Sequence, residues 1–138
     1  MSKKRVLILC TANSVRSQMS EGLLRQDFGD RFEVFSAGVN PSRVHPEAIA
    51  AMADAGIDIS GQRSKHVDEF QGQAFDTVIT VCDNARDACP FFPGAAKRLH
   101  WNFEDPGEVK GTAADRAAAF RKTRDQIREK FRAHVDQI

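Results

Sequence analysis

No run of the 138-residue chain is apolar for long enough to span a bilayer as a helix. Excess charge is missing too: 20 Lys and Arg stand against 19 Asp and Glu, a net charge of +1. So even a balance gives no broad footprint for nucleic acid or for a membrane surface. The basic residues near the C-terminus alternate with Asp115, Asp125 and Glu129, which reads as a solvated helix face. Cysteine is scarce, and three in a chain of this length do not make a disulfide scaffold. In a reducing compartment they are better read as chemistry or metal binding. No metal is expected, because His45, His66, His100 and His134 show no paired ligand spacing. Repeats, low-complexity tracts and linkers are absent, so residues 1–138 are expected to form a single domain and, with such even charge, a monomer. Met1-Ser-Lys-Lys-Arg5 leads directly into a short strand core, with no apolar region of signal-peptide length, so a cytoplasmic location is expected. Tyrosine is missing altogether.

What the chain does contain is Cys10-Thr-Ala-Asn-Ser-Val-Arg16-Ser17, set between Val6-Leu7-Ile8-Leu9 and a helical pattern of Val15, Met19, Leu23 and Leu24. A cysteine on such a strand-to-helix turn sits where unpaired backbone N–H groups converge and the helix dipole is positive. That field favours thiolate over thiol, and Arg16 can clamp an oxyanion with two parallel hydrogen bonds. The Ser17 hydroxyl can donate to the thiolate, and Asn13 tolerates left-handed backbone and can pin a tight loop. Residues 10 to 17 hold no glycine and no lysine, which excludes a nucleotide-binding Gly-rich loop. The competing reading, a buried inert cysteine, leaves Arg16 and the hydroxyl-rich turn unexplained.

Strands are predicted near 5–10, 32–36, 76–82 and 97–101. Helices are predicted over 15–28, 45–55, a short piece after Ser64, a turn around 84–89, and 112–134. The last opens with Thr112 and Asp115 as a capping box and carries an apolar stripe of Ala113, Ala117, Phe120, Ile127, Phe131 and Val135. Gly29, Gly38, Gly56 and Gly94 fall between elements, where left-handed backbone is often needed. The alternation argues for an α/β fold with a parallel sheet and helices on both faces. In such sheets ligands bind beyond the strand C-termini, where Cys10 lies.

A second strand, Thr77-Val-Ile-Thr-Val81, also ends in a cysteine, Cys82, which can therefore approach Cys10 at the crowded sheet edge. Cys89 follows seven residues on, roughly 10 Å along the axis if the piece is helical. Disulfide Cα pairs need about 4.4–6.8 Å, so Cys82 and Cys89 can join only through a conformational switch. Two readings stand: a redox pair, or a small apolar strand residue and a chance thiol. Asp105, in Glu104-Asp105-Pro106-Gly107, follows the fourth strand and faces the same crevice. Beside a bound oxyanion it can hold a proton for a departing oxygen. Glu104, one residue off, is the weaker candidate, and an ordinary acidic turn is the bland alternative.

These residues resemble the low-molecular-weight protein tyrosine phosphatase fold, and more closely its thioredoxin-coupled arsenate reductase branch. The likeness runs through Cys10 to Met19, Ser36-Ala-Gly38, Ile57-Asp-Ile-Ser60, Val81-Cys82, Cys89-Pro90 and His100-Trp101…Glu104-Asp105-Pro106. Small tyrosine phosphatases of this kind usually follow Asp-Pro with tyrosines that flank an aromatic substrate; here Gly107-Glu108 follows. The resemblance implies a four-stranded parallel sheet in order 2-1-3-4 flanked by helices. It implies that arsenate docks in the loop of Thr11, Ala12, Asn13, Ser14, Val15, Arg16 and Ser17. Cys10 then attacks arsenic, Asp105 assists loss of an oxygen, Cys82 and then Cys89 resolve the intermediate, and thioredoxin restores the thiols. No metal or organic cofactor is implied. Two departures stand out: Val15 replaces a fourth cysteine found in some relatives, and Lys65 stands at the acidic position of a potassium site whose other groups match Asn13, Glu21 and Ser36. A lysine ammonium there is expected to replace the ion. The alternatives are a tyrosine phosphatase or phosphomonoesterase without the relay, and a redox-sensing or oxyanion-binding protein without turnover.

Overall fold

A computed structural model describes residues 3–82 and 95–138. The turn predicted around 84–89, with Cys89, and Gly94 lie outside the described residues. Four parallel strands, β1 (Lys4–Cys10), β2 (Phe32–Gly38), β3 (Thr77–Thr80) and β4 (Lys97–His100), form one sheet in the order β2-β1-β3-β4. Composition explains that order. Val6 to Leu9 of β1 and Thr77 to Thr80 of β3 are buried without a break, as strands covered on both faces must be. Lys97 and Arg98 leave β4 half exposed, which suits an edge where charge discourages further pairing.

Helices α1 (Arg16–Phe28), α2 (Pro46–Asp54) and α3 (Ala113–His134) connect and cover the strands, with α3 packed on both of the others. The capping box is present: the Thr112 hydroxyl accepts from the Asp115 amide and the Asp115 carboxylate accepts from the Thr112 amide, both at 3.1 Å. Phe120, Ile127 and Phe131 of the predicted stripe are buried, each contributing roughly 1.5–3 kcal/mol by leaving water. Ala113 is exposed instead, and Thr123 completes the buried face. Asp27 at the end of α1 receives a two-point fork from Arg128 of α3, at 2.9 Å and 2.7 Å. That hydrogen bond holds its carboxyl below the ordinary value.

Three expectations shift in detail. The piece after Ser64 is a single 3-10 turn, Val67–Phe70, opened by the His66 side chain. Strand β3 stops at Thr80, although the Val81 amide still donates to the Leu9 carbonyl at 2.9 Å, so Cys82 leaves the ladder opposite Thr11. Gly29 is right-handed, at φ −65°, whereas Gly56 has the positive φ of 79° that favours glycine.

Candidate active site

The segment from Cys10 to Arg16 wraps a cavity of about 260 Å³ lined by Cys10, Thr11, Ala12, Ser14, Val15, Arg16, Asp105 and Glu108. Its shape is imposed from outside. The Asn40, Ser42 and His45 amides donate to the carbonyls of Thr11, Ala12 and Ser14 at 2.8, 3.1 and 3.0 Å. The Ser64 hydroxyl also donates to the Ala12 carbonyl, at 2.9 Å. With carbonyls held outward, the backbone dipoles of the loop point their positive ends inward. Val15, at the N-cap of α1, offers no side-chain cap, so the helix end stays open toward the cavity. Gly38 lets β2 pass close behind: a Cβ there would lie 2.6 Å from the Thr11 carbonyl oxygen and 2.8 Å from the Asn13 nitrogen.

Asn13 and Ser17 do not line the cavity; both are fully buried behind it. Asn13 has a φ of 47°, the left-handed conformation its residue type tolerates. Its side-chain oxygen accepts from the Lys65 amide at 3.0 Å and from Gln18 Nε2 at 2.9 Å. A backbone N–H can only donate, so this contact fixes which end of the Asn13 amide is nitrogen. That nitrogen donates to Ser17 Oγ at 2.7 Å and Ser36 Oγ at 3.0 Å. The Ser17 hydroxyl lies 2.8 Å from Cys10 Sγ, and with Asn13 donating to its oxygen its own hydrogen is free to point at the sulfur. Ser36 in turn donates to Glu21 at 2.6 Å. The buried Glu21 carboxylate is balanced by Arg25 at 2.9 Å and the Lys65 ammonium at 3.7 Å. Burial pushes the Lys65 ammonium below the ordinary lysine range, and the Glu21 charge opposes that shift.

The other wall comes from the segment after β4. Its Trp101 and Phe103 amides donate to the carbonyls of Thr80 and Val81, so it follows β3 to the sheet edge. There Asp105 Oδ1 accepts from the Gly107 amide at 2.9 Å, capping the 3-10 turn Pro106–Glu108, while Oδ2 faces Arg16 Nη2 at 3.7 Å. Arg16 Nη1 donates to the Phe103 carbonyl at 3.0 Å. Glu104 lines only a neighbouring cleft, shared by Arg16, Cys82, Asp105 and Glu108. Cys82 and Cys10 are both buried and not bonded to one another, and the Cys82 sulfur lies 3.4 Å from the Thr11 hydroxyl. A second thiol thus stands against the residue that follows the first.

Comparison with known proteins agrees with this geometry. Residues 5–138 match the family described as low molecular weight phosphotyrosine protein phosphatase. An arsenate reductase of Bacillus licheniformis is 45% identical over 136 residues, covering 99% of this chain and 98% of the relative. The chain belongs to this phosphatase family, within its arsenate reductase branch. A solved arsenate reductase in a phosphate-binding state superposes on it with a TM-score of 0.80 at 34% identity, over 98% of each chain. A thioredoxin-dependent arsenate reductase of Corynebacterium glutamicum gives a TM-score of 0.71 at 28% identity, over 99% of this chain and 64% of that one.

Several residues of this family member escaped the sequence reading. Gln18 ties the loop to the Arg63 carbonyl at 3.0 Å, and Ser64 buttresses Ala12. Both act across 45 or more residues, which local spacing cannot reveal. Glu108 also lines the cavity, and the one sequence signal near it was that Gly107-Glu108 follows Asp105-Pro106.

Proposed function

We propose that the protein reduces arsenate to arsenite by a thiol–disulfide relay. The observation that carries this reading is the buried Cys82 sulfur beside the Cys10 loop, since ester hydrolysis at Cys10 needs no second thiol. Arsenate enters the cavity and is held by the loop amides and Arg16. Cys10 thiolate forms a bond to arsenic, and an oxygen departs as water with a proton supplied by Asp105. Cys82 thiolate then attacks Cys10 Sγ. The sulfur–arsenic electron pair leaves with arsenic, which becomes arsenite, and a Cys10–Cys82 disulfide forms. Cys89, seven residues beyond Cys82 in the sequence, attacks Cys82 Sγ and releases Cys10 as thiolate. A dithiol donor reduces the remaining Cys82–Cys89 disulfide. The name of the Corynebacterium glutamicum relative supports thioredoxin in that role, and the cycle suits a reducing, cytoplasmic setting.

Phosphomonoester hydrolysis would use Cys10, Arg16 and Asp105 without Cys82. Replacing Cys82 by Ser separates the two. In that variant arsenite formation should vanish while hydrolysis of p-nitrophenyl phosphate persists. Undiminished arsenate turnover in that variant would refute it.

A further inference from the structure

The turn that carries Asp105 has a second support besides Arg16. Arg116, in the first turn of α3, donates from Nη1 to the carbonyls of Gly107 at 3.2 Å and Val109 at 2.6 Å. Its Nε and Nη2 face the other way and bind Glu47 Oε1 at 3.0 and 2.7 Å, with Nε 3.3 Å from Oε2. One planar guanidinium thus spans two carbonyls and a carboxylate, a geometry a lysine ammonium does not reproduce. Glu47 lies two residues after His45, whose amide donates to the Ser14 carbonyl of the oxyanion loop. A continuous path therefore runs from that loop, through the start of α2, to the Gly107 and Val109 carbonyls that follow Asp105. Arg16 also bridges the two walls, but it is needed by the oxyanion and cannot serve as the fixed support of the acid.

We propose that Arg116, oriented by Glu47, is a positioning residue that sets the Asp105 turn at working distance from the Cys10 loop. The proposal deepens the reading above and rests on Asp105 as the proton donor. A displacement of about 1 Å at a reacting group can cost roughly 100-fold in rate, so an anchor of this kind is felt in the chemistry. It is not felt in oxyanion binding, since Arg116 touches no loop residue.

The test uses full-length wild type, Arg116→Gln, Arg116→Lys, Glu47→Gln and Asp105→Asn. The single-turnover rate of arsenite formation reads the chemistry, and protection of Cys10 from iodoacetamide by inorganic phosphate reads the loop. Hydrolysis of phenyl and p-nitrophenyl phosphates is followed in parallel, because it draws on the same acid whatever the fate of arsenate. Arg116→Gln should slow the chemical step roughly 10-fold, a share of the 10²–10⁴ that a positioned acid supplies. Phosphate protection should stay unchanged, and phenyl phosphate, the poorer leaving group, should lose more than p-nitrophenyl phosphate. Glu47→Gln should show the same split more weakly, and Arg116→Lys should restore part of the rate. These two milder variants carry the test if Arg116→Gln does not fold. Wild-type rates in Arg116→Gln and Glu47→Gln, or rate and phosphate protection falling together, would overturn the proposal. An Asp105→Asn variant as fast as wild type would remove the acid and the proposal with it. Inactivity of the wild type on arsenate, with the split intact in ester hydrolysis, would refute the reductase reading and leave Arg116 standing.

Discussion

The oxyanion loop and the acid turn meet at one cavity but are held in opposite ways. The loop is fixed from behind by buried groups: three carbonyls taken by the 40–45 segment and Asn13 anchored in a closed network. The acid turn is half exposed and hangs on two arginine side chains, Arg16 and Arg116. The difference suits the roles proposed for each in arsenate reduction. Donors aimed at a developing charge act best when they need no rearrangement. A proton donor at the mouth must stay open to entering substrate and to the departing oxygen.

Damage to the loop should therefore harm stability and chemistry together, and damage to the turn should harm chemistry alone. The sharpest break is Gly38→Ala, whose new methyl would collide with the Thr11 and Asn13 backbone. We expect a loss of about 1–3 kcal/mol by denaturant titration from overpacking. The single-turnover rate should fall by at least about 100-fold as the donors move. A normal rate in a destabilised protein would show that the loop tolerates displacement. Asp105→Asn should lower that rate by about 100-fold while leaving the melting temperature in place. The Asn oxygen can still accept from the Gly107 amide, so the turn keeps its cap.

Away from both regions, Asp27→Asn probes scaffold only. Breaking its fork with Arg128 should cost about 1–3 kcal/mol at neutral pH, with phosphate protection of Cys10 unchanged. The folded carboxyl ionises below its ordinary 3.8, so its contribution is complete above that pH and is lost as pH falls through the folded value. Wild type and variant should accordingly converge in stability in acid, and a gap that persists there would assign the effect to packing. The smallest effect is an expected absence of response. With the Lys65 ammonium already beside Glu21, exchanging sodium for potassium should leave activity unchanged; specific activation by potassium would contradict that role.

Legibility in the sequence follows the same division. The loop could be read because its chemistry is contiguous: Cys10, Asn13, Arg16 and Ser17 lie within eight residues, and the flanking periods announce strand and helix. Strands β1 and β3 were readable because central parallel strands are apolar throughout, and the capping box of α3 is a local pattern. What supports the loop was not readable from spacing. Gln18 to Arg63, Ser64 to Ala12 and Arg116 to Glu47 join residues 45 to 69 positions apart, and each uses a polar side chain that would be equally at home in water. Thr11 shows the same limit within the motif: its hydroxyl meets Cys82 rather than serving only the oxyanion loop.

The central claim is that Cys82 takes over from Cys10 after arsenate has reacted. Its most direct test is disulfide mapping by mass spectrometry of the Cys89→Ser variant after exposure to arsenate without a reductant. The account predicts one arsenite per protein and a trapped Cys10–Cys82 disulfide. Recovery of both thiols unmodified, or arsenite formed with no bond between those two sulfurs, would contradict it.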